Sequence, residues 1–217
     1  MNQELEPLSE AGVLTPSIPW DIGARTQRDR ILKAMAKSCA KKSFAATTIA
    51  DIVSHASISR ATFYKHFSNK RECFNATVDS FLAELRGSAE NALPDGDESV
   101  ESAIREVIAT LLGRLAAKPD HAKLLLVEAP IVDPKLVQHY RRITLAALEA
   151  RLRAAEVEAR AGADPEIAFG RAKVLVADYV AAGKAKELPS LLPELVYIAQ
   201  LPYLGQELAL EQAQLVR

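Results

Sequence analysis

Apolar residues recur at three- and four-residue intervals almost from end to end of this chain. No segment alternates polar with apolar side chains over a strand's length with β-branched enrichment. Ile31, Met35 and Cys39 stand four apart beside Leu32, Ala36 and Ala40, and Ile49, Ile52, Val53 and Ala56 repeat the pattern. A period near 3.6 gathers such residues on one stripe of a helix. Ala, Leu, Glu, Arg and Lys, which favour helices, dominate the composition. The fold class expected is all-α. With 217 residues, 49% of them hydrophobic, the chain suffices for one larger or two smaller domains with cores.

Helix boundaries follow from capping chemistry. Residues 1–22 contain Pro7, Gly12, Pro16 and Pro19 without a sustained period and read as an arm, with Trp20 either tacking it to the body or touching a partner. The first helix is expected from Thr26 to Lys41. Thr47 or Thr48 offers the next N-cap, and Asp51 stands three residues after Thr48 as in a capping box. The second helix is IADIVSHA, the turn is SIS, and RATFYKHF follows with Ser59 as cap: a helix, a short turn and a short basic helix, the helix-turn-helix pattern. Ser68 or Asn69 caps a fourth helix expected to reach Leu93, with a bend at Gly87. PDGDE, residues 94–98, reads as a solvated loop and lacks the spacing of a calcium loop. Beyond it, helices are expected over residues 99–117, 120–128, 133–161 and 165–186, then from Pro193 with a disturbance at Pro202, and again from Gln206. Asp133-Pro134 and Asp164-Pro165 are cap-then-proline starts.

Charge is distributed unevenly. From Arg25 to Arg71 there are eleven Lys or Arg against Asp29 and Asp51, a net +9, while the whole chain carries −1. A compact basic segment among acidic ones is the electrostatic footprint of a nucleic-acid binder. Other classes find little support. HExxH, GxSxG, GxGxxG and Walker patterns are absent, and four scattered His have no metal-ligand spacing, so neither enzyme activity nor a cofactor is expected. Cys39 and Cys73 fit neither a CxxC motif nor a disulfide framework and read as buried thiols. No run approaches the apolar length of a membrane span, no leader pattern is evident, and the expected location is the cytoplasm, with no membrane partner.

The stretch ISRATFYKHFSNK, residues 58–70, mixes aromatics with bases. At about 100° per residue Phe63 and Phe67 form one apolar edge facing the first two helices. Ala61 and Lys65 point nearly opposite, Thr62 and Tyr64 lie on the flanks, and Arg60 stands near the N-terminal end. Residues 52–71 contain no Asp or Glu, whereas an ordinary solvated face mixes both signs. A helix of this size fits the major groove, where Arg60 and Lys65 can donate to guanine and Ala61 or the Thr62 methyl can meet a thymine methyl. Tyr64, His66, Lys70, Thr47 and Thr48 are placed for phosphate oxygens. A plain basic solvent face remains the alternative.

TTIADIVSHASISRATFYKHFSNKRECF resembles the DNA-binding signature of the tetracycline-repressor (TetR) family of bacterial transcriptional regulators. The resemblance implies base-facing residues among Ser59, Arg60, Ala61, Thr62, Tyr64 and Lys65, and phosphate contacts from Thr48, Tyr64, His66 and Lys70. Ala56-Ser57 stands where the family usually has Ala-Gly, and Cys73 where Leu or Ala is usual. The resemblance further implies an N-terminal helix-turn-helix domain, residues 23–70, before a larger helical domain, residues 71–217, for effector binding and dimerisation. An effector pocket there would draw on Phe81, Leu85, Leu111, Leu115, Leu125, Phe169 and Tyr179, with Glu128, His139, Tyr140 and Lys173 as polar groups, although each apolar residue equally suits plain core. Small and branched residues at Ala168, Ala172, Val174, Leu175, Ala177, Val180 and Ala181, with Leu195, Val196, Ile198, Ala199 and Leu201, suit a four-helix dimer interface or, alternatively, the chain's own core. The function implied is a homodimeric regulator, a repressor that binds a palindromic operator in double-stranded DNA and is released by a small-molecule effector. A helical adaptor that keeps the fold without operator binding is the rival.

Overall fold

The computed structural model describes residues 20–92, 99–135, 138 and 164–216, with the side chains of residues 20–25 and 100 excepted. The arm expected over residues 1–22 lies outside them but for its last three residues, as do the role of the Trp20 side chain, the loop at 94–98 and nearly all of the helix expected over 133–161. Every regular element among the described residues is helical.

Helix α1 (Trp20–Ala46) is longer at both ends than its apolar period implies; at the C-terminal end Ser43 interrupts it without ending it, its backbone turning to φ 73°, ψ 163° before helical geometry resumes for a last turn. Ile31, Met35, Ala36 and Cys39 are fully buried. Helix α2 (Ile49–Ala56) lays Ile52 and Ala56 against them, and α3 (Arg60–His66) adds Phe63 and the following Phe67. Helix α4 (Lys70–Asn91) starts in this core with Cys73, Phe74 and Val78 and continues into a second one with Phe81 and Leu85. At 1.5 Å per residue it spans about 33 Å, which lets one rigid element serve both cores. Gly87 stays helical within it.

The second core is built by α5 (Val100–Ala117), α6 (Pro119–Lys123), α8 (Pro165–Ala181), a 3₁₀ segment (Ala185–Leu191) and α9 (Leu192–Leu204) around Leu112, Leu115, Val176, Val180, Leu188 and Leu195. Asp164 accepts the Glu166 N–H at 2.8 Å, as its cap-then-proline sequence implies. Helix α8 stops five residues short of the expected Lys186, because Gly183 takes φ 77° and closes the end with Gly183 N–H to Val180 O (3.0 Å) and Lys184 N–H to Tyr179 O (2.9 Å). Pro202 lies inside α9, and the break comes instead at Gly205 (φ 79°), ahead of α10 (Gln206–Gln214).

Between α6 and α7 (Ala129–Val132) the backbone widens into a π-helical turn, Leu124–Glu128. Pro130 is the reason: it has no N–H to give the Leu126 carbonyl four residues back, and its ring crowds that carbonyl. The chain takes in one extra residue just ahead, and the Ala129 N–H bonds back five residues to Leu124 O. Leu124 and Ala129 belong to the first core, Leu126 and Val127 pack on the second, and Leu125 touches both.

Candidate nucleic-acid interface

The helix-turn-helix is fixed by polar groups that the helices themselves leave unpaired. Thr48 caps α2: its hydroxyl accepts the Asp51 N–H (3.2 Å), and the Asp51 carboxylate accepts the Thr48 N–H (2.9 Å). Ser59 caps α3 by accepting the Thr62 N–H (3.0 Å), with the two hydroxyls 2.9 Å apart. Asn69, rather than Ser68, caps α4 through the Glu72 N–H (2.9 Å). The turn pivots on Ser57, whose φ 51° and ψ 52° are left-handed. That is the geometry a glycine adopts freely and a serine only at a cost of about 1–2 kcal/mol. Arg30 holds the turn from α1, its guanidinium donating to the Ala56 carbonyl and, at 3.0 Å, to that of Ser57. Sequence reasoning missed this clamp: orphan carbonyls at a helix end call for a donor, but nothing local selects one 26 residues away.

With Phe63 and Phe67 buried, Arg60, Ala61, Tyr64 and Lys65 are exposed on the opposite side of α3, and Thr62 and His66 are half-buried on its flanks. Tyr64 is 50% exposed although its ring meets Phe63 edge-on at 5.5 Å, so its hydroxyl end is free of the core. Thr48 and Ser59 are exposed at the N-terminal ends of α2 and α3. The nearest acids are engaged in caps and hydrogen bonds. Asp51 is held well below the usual carboxylate range by Lys42 at 2.6 Å and then by Thr48, and Glu72 is lowered by the Ser68 hydroxyl and N–H. The exposed side of α3 therefore presents bases with no acid on the helix itself, and Asp51 on the neighbouring cap is paired with Lys42.

Two expected contact residues are turned elsewhere. Thr47 is 1% exposed and spends its hydroxyl on Ser43 O at 2.6 Å, which closes the α1–α2 junction. Lys70 points inward, its ammonium donating to Phe44 O (2.8 Å) and Thr47 O (2.7 Å) and lying 4.3 Å over the Phe44 ring. Both were expected at phosphates because they flank the basic helix; the junction needs their donors instead.

The two buried thiols behave as apolar core. Burial pushes Cys39 up to about 11 and Cys73 to about 12.

In the C-terminal part, Phe81, Leu85, Leu111, Leu115, Leu125 and Tyr179 converge on the second core. His121 stacks on Phe81 at 5.3 Å, and burial first and Lys118 second push its pKa down. Phe169 and Lys173 are half-buried on α8. Tyr140 and His139 lie outside the described residues. Glu128 is a correction: it sits 8% exposed against α1, where it accepts the Phe44 N–H at 2.8 Å, too far into the first core to serve an effector pocket there. Two open surface concavities among the described residues involve none of these side chains. One, about 490 Å³ and wide open, runs along the outer face of α8 past Ile167, Gly170, Val174 and Leu175; the other, about 290 Å³, lies on α4 around Leu82, Arg86 and Gly87.

The expected dimer surface also divides. Ala168, Ala172, Leu175, Ile198 and Ala199 retain partial exposure, but Val180, Leu195 and Val196 are 2%, 4% and 0% exposed and belong to the chain's own core. Helix α8 is apolar on both sides, so periodicity alone picked the inner edge as readily as the outer one. The outer edge carries Ile167 and Val174, each more than half exposed.

Comparison with known proteins agrees with this geometry. Residues 31–77 match the family model of bacterial regulatory proteins, tetR family. That segment of the chain is thus a TetR-type DNA-binding domain by sequence. Over 121 residues it is 26% identical to the HTH-type transcriptional regulator YerO of Bacillus subtilis, covering 55% of this chain and 42% of that protein. Over 75 residues it is 39% identical to the HTH-type transcriptional regulator TtgR of Pseudomonas putida, covering 35% of each. The chain thus spans less than half the length of these relatives. Among solved structures, the fatty acid degradation regulator FadR from Bacillus halodurans superposes with a TM-score of 0.70 at 18% identity, over 83% of this chain and 96% of that one. The TetR family protein CprB from S. coelicolor A3(2) gives 0.63 at 20%, over 89% and 98%. At these identities the structural likeness carries the TetR fold alone, an N-terminal helix-turn-helix domain followed by a larger helical one.

Proposed function

We propose that the protein is a transcriptional regulator that reads double-stranded DNA with α3 and acts as a homodimer on a palindromic operator. The observation that carries this reading is the exposed side of α3, where Arg60, Ala61, Tyr64 and Lys65 stand over a buried Phe63 in a stretch, residues 52–71, that contains no Asp or Glu. Arg60 and Lys65 donate to base edges, and Thr48, Tyr64 and His66 serve the backbone. One seven-residue helix reads few bases, so two copies on a two-fold axis are needed to specify a site. The second copy docks on the outer face of α8, where Ile167 and Val174 are each more than half exposed. Residues 23–70 form the reading domain and residues 71–217 the dimerising one. A small-molecule effector releases the DNA by binding the non-fitting conformation more tightly, which makes the protein a repressor. Selection from a random duplex library tests this: a palindrome with half-sites about one helical turn or more apart is expected, with affinity that falls steeply as salt rises. Binding without sequence preference, or none, favours an adaptor.

A further inference from the structure

The α1–α2 junction holds a backbone conformation that its own sequence does not favour. Ser43 sits at φ 73°, ψ 163°, outside the regions open to a residue with a Cβ. Such a conformation needs holding, and one contact beside it is made by the Phe44 N–H. It donates to Glu128 Oε2 at 2.8 Å, from a carboxylate 84 residues away that is itself 8% exposed. Just beyond, Thr47 closes back on Ser43 O through its hydroxyl and N–H, and Thr48 begins the cap of α2. Ser43 therefore lies at the point where the chain turns from α1 toward α2 and α3.

Glu128 reaches this place because of the π-helical turn. Lys123, five residues earlier, donates to Ala40 O on the same stretch of α1 at 2.7 Å. In an unbroken α-helix two residues five apart diverge by about 140° and cannot both meet one neighbour. The i to i+5 turn brings them onto one face. Farther along, the Val132 carbonyl accepts from Arg71 at 2.9 Å. The segment that bridges the two cores thus grips the N-terminal part at three points, and only the Glu128 contact falls next to a strained residue.

We propose that Glu128 is a positioning residue for DNA reading: by holding the Phe44 N–H it keeps Ser43 in its positive-φ conformation and fixes how α2 and α3 are presented. A rearrangement of Leu124–Val132 that displaces Glu128 reaches the reading helix through this bond. The proposal rests on the DNA-binding reading above.

The test is a double-mutant cycle on the full chain, using the duplex that the wild type selects. Glu128→Ala is expected to weaken binding about tenfold, the effect of one buried hydrogen bond to a charged group, with an unchanged salt slope because no phosphate contact is lost. Ser43→Gly in the same chain is expected to bring affinity back to within about threefold of wild type, since glycine adopts positive φ without a partner to enforce it. A role confined to general packing around Glu128 leaves no reason for rescue at residue 43. Unchanged affinity in Glu128→Ala, or a double variant as weak as the single one, overturns the proposal. Should Glu128→Ala fold poorly, Glu128→Gln carries the test, since it keeps an acceptor oxygen: affinity within about threefold of wild type is expected, and a loss that Ser43→Gly does not restore overturns it. If the wild type selects no duplex, the DNA-binding reading fails on its own. Amide exchange at Phe44 then decides the hold itself: slow exchange in the wild type and at least about tenfold faster exchange in Glu128→Ala support it, and equal rates refute it.

Discussion

Helices α3 and α8 are built alike and finished differently. Each buries one apolar edge in a core of its own, Phe63 in the first and Val176 with Val180 in the second, and each leaves the opposite side uncovered. On α3 the uncovered side is Arg60, Ala61, Tyr64 and Lys65; on α8 it is Ile167, Gly170 and Val174, flanked by Arg171 and Asp178. A leftover face that is basic and free of acids suits a polyanion, whereas a leftover face that is apolar suits another protein surface. Neither face helps its own chain fold, and that is what the two share.

The sharpest way to break the comparison is to remove what the two helices have in common. Phe63→Ala is expected to cost about 3–5 kcal/mol, enough to unfold the N-terminal core, measured by urea titration; a small loss shows that α3 is not anchored as described. The leftover faces come next. Val174→Asp should leave the monomer folded but weaken self-association by about 2–4 kcal/mol, because it places a charge in an apolar contact; an unchanged sedimentation profile puts the dimer interface elsewhere. Lys65→Ala should cost about 1–3 kcal/mol in DNA affinity and relax base preference, without touching the thermal midpoint. Lys70→Ala should do the reverse, lowering stability by about 1–3 kcal/mol because the Phe44 and Thr47 carbonyls lose their donor. Ser57→Gly, which relieves the left-handed turn between α2 and α3, should stabilise by about 1 kcal/mol.

The smallest effect concerns the core behind α8. Burial lowers the pKa of His121, so between its folded value and the ordinary 6.5 the unfolded chain binds a proton that the folded chain refuses. Its contribution to stability is complete above pH 6.5 and lost as pH falls through the folded value. Urea midpoints at pH 7.5 and 5.5 should therefore differ more in the wild type than in His121→Gln, and equal differences contradict the placement.

Much of the reading head was legible in the sequence because its signals are local. Thr48 with Asp51, Ser59 with Thr62, and the Phe63–Phe67 edge each depend on residues within four positions, which is the range over which capping and helical period operate. What failed was set by distant partners. Thr47 and Lys70 carry donors that look free until the carbonyls of the α1–α2 junction are seen beside them, and Arg30 clamps a turn 26 residues away. Glu128 read as a pocket residue because nothing in its neighbourhood announces Phe44. For α8 the limit is different in kind. Apolar residues lie on more than one side of α8 and of α9, so their period does not say which side is inner, and Val180, Leu195 and Val196 suited a partner surface as well as the core that keeps them. Gly183 marked the true end of α8 and was overlooked.

The central claim, that the uncovered side of α3 reads DNA while that of α8 joins two copies, is tested most directly by selecting duplexes from a random library with the full-length wild type and with Val174→Asp. The account predicts a palindromic consensus and a steep fall of affinity with salt for the wild type, and at most half-site enrichment with a shallower salt slope for the variant. A palindrome selected equally by both proteins, or affinity that does not change with salt, contradicts it.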